Sequence, residues 1–135
     1  MNAVPWLHEQ IEYMRDRGFI TTIFKIPNAS IMKKLIAIID LRKLIRTSKF
    51  TLIHCHWGYN TIFAYNSKIP IITTFHGSDL QGDVNYNGSI TFKGKILIGL
   101  SKIGALLSTN NIYVSKRLER LKPKINLNKI FFIIP

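Results

Sequence analysis

Three histidines close two short apolar segments. His54 and His56 end TLIHCH, residues 51 to 56, and His76 follows IITTF, residues 71 to 75. Imidazole can donate, accept or carry a proton near neutral pH, and it also ligates metals. Side chains alternate along an extended strand, so His54 and His56 share one face and Cys55 points to the other. If the two segments are neighbouring strands, all three imidazoles can meet at one rim of a sheet. After His76 come Gly77, Ser78 and Asp79. Gly77 either lets backbone approach a ligand closely or simply makes a turn. Asp79 can bond a ligand hydroxyl or cap that turn. Trp57 and Tyr59 can stack on a sugar or lipid, or pack under the helix that follows them. With Asp79, the three histidines also offer nitrogen and oxygen ligands to zinc, as a metal-dependent hydrolase would require.

The elements that must position these groups are legible from periodicity. Val4, Leu7, Ile11 and Met14 recur at helical spacing, with Pro5 in the first turn and Gly18 placed to end a helix over residues 4 to 17. FITTIFKI, residues 19 to 26, is β-branched and aromatic, is closed by Pro27 and Asn28, and is expected to be a strand. From Ile31 to Arg46 apolar residues surround Lys33, Lys34, Asp40, Arg42, Lys43 and Arg46, which describes a helix with a basic face. Residues 51 to 56 form a strand that enters a turn at Trp57, Gly58, Tyr59 and Asn60, followed by a short helical stretch around Thr61 to Tyr65. Pro70 opens the strand of residues 71 to 75.

The polar, glycine-bearing loop of residues 77 to 93 exceeds the ~12 to 15 residues at which structureless loops usually become functional, which makes it a place to look for chemistry. A helix from Gly94 to about Ser108, a strand IYV, a helix with Ser115 as N-cap and a terminal strand IFFII complete the pattern. Strands alternating with helices imply an α/β fold: a Rossmann-like three-layer sandwich with a mostly parallel sheet and helices on both faces. Ligands of such sheets sit beyond the carboxyl ends of the strands.

With 135 residues, of which 47% are hydrophobic and 19% charged, the chain has the composition of one folded domain rather than a disordered segment. Nineteen Lys and Arg against seven Asp and Glu give a net charge of +12. Such a surface attracts nucleic acid, an anionic membrane leaflet or phosphate-bearing substrates, or else sets its lysines on solvated faces. Cys55 is the only cysteine, so no intramolecular disulfide can form and a reducing, cytoplasmic compartment fits best. The opening residues lack a signal-peptide pattern, and no apolar run reaches the ~18 residues of a spanning helix.

HCHWGYN, TFHGSDL, NNIYVSKRL and KIFFIIP together resemble the amino-terminal domain of retaining, family-four-type glycosyltransferases of the GT-B fold. Members of that family read similarly, with a His-x-His strand, a TFHG(S)D strand end, an I-x-V-S strand and helix, and a closing V-I-P-N-G-V-D. The resemblance covers nearly the whole chain, and the two histidine segments are its specific part. It implies that acceptor lies against this domain, that a nucleotide-sugar donor lies mainly against a second domain, and that transfer occurs in the cleft between them. His76 is then the catalytic candidate. Its imidazole, or the backbone N–H groups of Gly77 and Ser78, would bond the sugar or its departing diphosphate, where fixed donors stabilise developing charge. His54, His56, Asp79 and Ser115 are candidates for lining the acceptor side. In the mechanism usual for this family the leaving phosphate helps deprotonate the acceptor, so neither a metal nor another cofactor is implied.

The resemblance is incomplete. A first strand with its Gly-rich turn, the N-G-V-D continuation and the donor domain have no counterpart, and Asn110 stands where the family usually has Asp. Residues 1 to 135 are therefore expected to form a single acceptor-side domain, cut at both ends and inactive by itself. Partners implied are a nucleotide-sugar donor, a glycan or lipid-linked acceptor, the donor domain, and an anionic membrane inner face against the basic helix. Charge alone motivates a nucleic-acid binder, for which no zinc-finger, RNA-recognition or helix-turn-helix signature exists.

Overall fold

The structure is a computed structural model and describes residues 5 to 66 and 68 to 123, together with the backbone of 131 to 133. The elements in chain order are α1 (Pro5–Asp16), α2 (Ile31–Thr47), β1 (Ile53–His56), α3 (Asn60–Ala64), β2 (Ile71–Phe75), α4 (Ser78–Gln81), α5 (Phe92–Leu107), β3 (Asn110–Tyr113), α6 (Lys116–Glu119) and β4 (Phe131–Ile133). The four strands form one sheet in the order β1-β2-β3-β4, and every pairing is parallel. Parallel neighbours need crossovers, and the helices supply them. This is a Rossmann-like α/β fold.

The register sorts side chains onto two unlike faces. His56 is paired with Thr74 and Cys55 with Thr73, so parity along each strand decides which way a residue points. One face carries Cys55, Ile71, Thr73, Phe75, Asn111 and Tyr113, all buried. Against it pack Ile45 of α2 and Ala64 of α3 at one end, and Leu80 of α4, Ala105 of α5 and Leu118 of α6 at the other. The Phe75 and Tyr113 rings stack at 5.1 Å. Several polar groups inside this layer bond one another or the backbone. Thr61 bonds Thr73, Thr73 bonds Ser108, and the Asn111 amide donates to the carbonyl of Ala105. The opposite face carries His54, His56, Ile72, Asn110 and Ile112, all only half-buried, together with the buried Thr74. Trp6 of α1 reaches this side.

Two glycines let α5 approach the end of β1. A Cβ on Gly104 would enter the carbonyl of Gly58, and one on Gly58 would enter the Phe75 ring and Ser101. Only backbone fits between helix and turn here.

Residues 19 to 26 do not form the expected strand. They have no regular structure, Ile20 is fully exposed, and Phe19 and Ile23 are more than half exposed. β-branched residues favour a strand when a pleated neighbour half-buries them, and no described strand lies alongside to do so. The loop of 77 to 93 is more ordered than expected. It contains α4, an antiparallel bridge between Val84 and Ile90, and a turn tied by the Asn85 carboxamide oxygen to the N–H groups of Asn87 and Ser89. No helix among the described residues is long and apolar enough to cross a membrane.

Candidate functional site

β1 and β2 end side by side, and their parallel register delivers the three imidazoles to one rim. His56 Nδ1 lies 3.0 Å from His76 Nε2, and the His54 and His56 ring centroids are 4.5 Å apart. His54 Nε2 is bonded to the Thr74 hydroxyl at 2.8 Å, which fixes its ring from within the same face.

All three imidazoles are held below their ordinary pKa. Burial pushes His56 down to about 3, and the neighbouring His54 and His76 add to the effect. Burial, then His76, lowers His54. Burial also lowers His76, although the Asp79 carboxylate pulls the other way. The group is therefore uncharged at neutral pH. Two neutral imidazoles sharing a hydrogen bond use one donor and one acceptor between them, so whichever tautomers are present their two remaining nitrogens comprise one donor and one acceptor.

The turn after β2 is built around Asp79, which is 1% exposed. Its Oδ1 accepts from the N–H groups of His76 at 3.2 Å and Gly77 at 2.9 Å, and its Oδ2 accepts from Gly58 N–H at 3.0 Å. One carboxylate thus ties the end of β2 to the turn after β1. Of its two sequence-derived roles, the structure displays the cap. Gly77 has φ 128, a conformation glycine adopts readily, and its N–H is taken up by Asp79. Ser78 begins α4 next to it.

Two tryptophans complete the rim. Trp6, near the start of α1, lies 4.7 Å from the His76 ring and 5.0 Å from the His56 ring. Trp57 lies 5.1 Å from His76 on a left-handed backbone, φ 66, that a bulky residue rarely adopts. That conformation is held by hydrogen bonds. Trp57 N–H donates to the Thr74 carbonyl at 2.9 Å, Asn60 N–H donates to the Trp57 carbonyl at 3.0 Å, and the Asn60 amide donates to the His56 carbonyl at 2.8 Å.

The profile of Glycosyltransferase Family 4 matches residues 6–122 of this sequence. The chain belongs to that family. Curated proteins and solved structures gave no match. The Glycosyltransferase Family 4 match starts at Trp6 and spans the whole histidine rim.

Within this glycosyltransferase domain the structure gathers His54, His56, His76, Gly77, Ser78 and Asp79 at one place. Ser115 follows β3 at the same edge of the sheet, where its Oγ accepts from Leu118 N–H at 3.3 Å as the N-cap of α6. Tyr59 is half-buried, and its hydroxyl pKa is raised by burial and then by Asp79 and Asp83. The zinc reading finds no geometric support, because no group of three His, Cys, Asp or Glu among the described residues stands in ligand arrangement. Nor does any feature beyond charge favour nucleic acid.

Sequence reasoning missed Trp6. It lies off the stripe of Val4, Leu7, Ile11 and Met14 that predicted the helix, and a large aromatic off the packing stripe was the available signal. Also missed was Thr74, which the same alternation places on the histidine face.

Proposed function

We propose that this chain is the acceptor-side domain of a nucleotide-sugar-dependent glycosyltransferase, transferring a sugar to a glycan or lipid-linked acceptor in a cleft shared with a donor-binding domain. The observation that carries this reading is the His56–His76 hydrogen bond at the carboxyl ends of two adjacent parallel strands, the place where open α/β sheets bind ligands. His76 is the catalytic residue in this reading. It hydrogen-bonds sugar at the point of transfer, and the leaving phosphate takes the acceptor proton. Asp79 is a positioning residue that holds the His76 backbone, while His56 holds the ring and is itself backed by His54. Donors fixed before reaction cost no reorganisation when charge develops.

The test is transfer measured with the domain paired to its donor-binding partner domain and a panel of nucleotide sugars. His76→Ala is expected to lower kcat by about 10²-fold, the usual effect of removing one preorganised donor. Unchanged turnover would remove His76 from the reaction.

The same reading places the domain in the cytoplasm, against the anionic inner face of a membrane. α2 supports it by exposing Ile31, Met32, Leu35, Ile36 and Ile39 alongside Lys33, Arg42, Lys43 and Arg46. Apolar side chains insert at an interface while each basic residue adds about 1 kcal/mol near anionic headgroups. Flotation with vesicles should rise with anionic lipid content, and equal recovery on neutral vesicles would sink this placement.

A further inference from the structure

α1 buries none of its residues, yet its Trp6 stands against two imidazoles and remains 37% exposed. The half-buried face of α1 is Leu7, Ile11 and Met14, and the indole lies off it, so packing along that face does not explain its position. Trp57 presents a second indole to the same His76, from a backbone conformation disfavoured for a large side chain and kept by three hydrogen bonds. Strained geometry maintained in this way clusters at ligand-holding sites. The rings against the His56–His76 pair are thus indoles and a third imidazole, and the charged group bonded to the His76 backbone, Asp79, is an anion.

Such a surface suits one ligand chemistry better than others. A diphosphate has acceptors only and calls for cations or an array of N–H donors. A pyranose has a flat patch of C–H groups on one side and hydroxyls, each both donor and acceptor, around its edge. Indole faces match the first, and the one donor and one acceptor left by a hydrogen-bonded imidazole pair match the second.

We infer that Trp6 and Trp57 form a stacking wall that receives the apolar face of an uncharged acceptor pyranose, with the His56–His76 pair bonding its hydroxyls. This rests on the glycosyltransferase reading above and names the substrate class of that rim. Trp6 is then a specificity residue for the acceptor and has no part in binding donor phosphate.

The chain's two tryptophans make fluorescence a direct probe. In Trp57→Phe, emission comes from Trp6 alone, and titration with methyl pyranosides is expected to shift it saturably, while sorbitol, an acyclic polyol without a rigid C–H face, leaves it unchanged. Trp6→Ala should weaken pyranoside affinity by about tenfold, the scale of one lost aromatic contact. Circular dichroism checks that each variant is folded, and wild type titrated alongside keeps the result readable should Trp57→Phe misfold. Imidazole ¹⁵N resonances are followed in the same titrations. Emission that ignores every pyranoside while the imidazole signals move would overturn the stacking wall and leave the glycosyltransferase reading standing. Equal responses to sorbitol and pyranosides would also overturn it. If neither indole nor imidazole responds to pyranosides or to nucleotide sugars, both readings of this rim fall together.

Discussion

Asp79 and Gly58 are joined by a hydrogen bond from the Gly58 N–H to Oδ2 of the carboxylate at 3.0 Å, across 21 positions of sequence. The same side chain accepts from His76 and Gly77, so the two strand ends carrying the histidines share one buried anion. Replacing one oxygen by an NH₂ group opposes a donor to a donor. Asp79→Asn should destabilise the fold by about 3 kcal/mol, since hydrogen bonds to charged groups contribute more than neutral ones and a buried N–H is left unpaired. Urea denaturation monitored by circular dichroism measures it, and a midpoint within error of wild type would refute the tie.

Gly58 and Gly77 should respond differently to the same added methyl. At Gly58 a Cβ meets the Phe75 ring and the Ser101 backbone, so Gly58→Ala overpacks the helix–turn contact and is expected to cost about 3 kcal/mol. At Gly77 the space is open and only the positive φ opposes a side chain, so Gly77→Ala should cost about 1 kcal/mol. Thermal melts of the two variants give the order, and Gly77→Ala being the worse would contradict the packing.

Stability should fall with acidification in a window set by His56. Its pKa is about 3 in the folded chain against an ordinary value of 6.5, so between these values the unfolded state binds the proton and the folded state does not. The stabilising contribution is therefore complete above pH 6.5, declines as pH drops, and is gone near pH 3. His54 and His76, also lowered, act in the same direction. Denaturation midpoints from pH 7 to pH 4 should decrease in wild type and decrease less in His56→Gln. A parallel pH dependence in the two would show that His56 is not the group responsible.

Cys55 offers a report on opening of the core. It is a buried free thiol whose pKa is pushed up to about 11, chiefly by burial, so neither access nor thiolate is available at pH 8. Ellman's reagent should react with it at the rate of unfolding in native buffer and within seconds in denaturant. Rapid reaction in native buffer would contradict its position against α2 and α3.

Thr73 links two hydroxyls, Thr61 on α3 and Ser108 at the end of α5. Thr73→Val keeps the shape but removes both hydrogen bonds, and should cost about 2 kcal/mol by chemical denaturation. A neutral result would mean that Thr61 and Ser108 find other partners.

Much of this arrangement was legible from residue order. Period-two alternation correctly paired His54 with His56 and opposed them to Cys55, because a strand's geometry leaves little freedom. The strand of residues 71 to 75 and the N-cap Ser115 also followed from local chemistry. What local chemistry could not supply was tertiary company. Residues 19 to 26 have the composition of a strand but no neighbour to pair with among the described residues, so propensity alone misplaced them. Trp6 was missed for the converse reason: its contacts lie 50 and 70 positions away, at His56 and His76, and its place off the helix's packing stripe marks it as unusual without naming those partners. The terminal strand was recognised, and its backbone pairs with β3 as a fourth parallel member.

The tripeptide His54-Cys55-His56 gives β1 a built-in proofreader. Were this strand to shift by one position against β2, two polar rings would be forced among Ile45, Ala64 and Ile71, and the thiol would turn out towards water. Half-slipped alignments are thus penalised twice over, so the residues that mark the rim for chemistry also discourage the chain from assembling its sheet out of step.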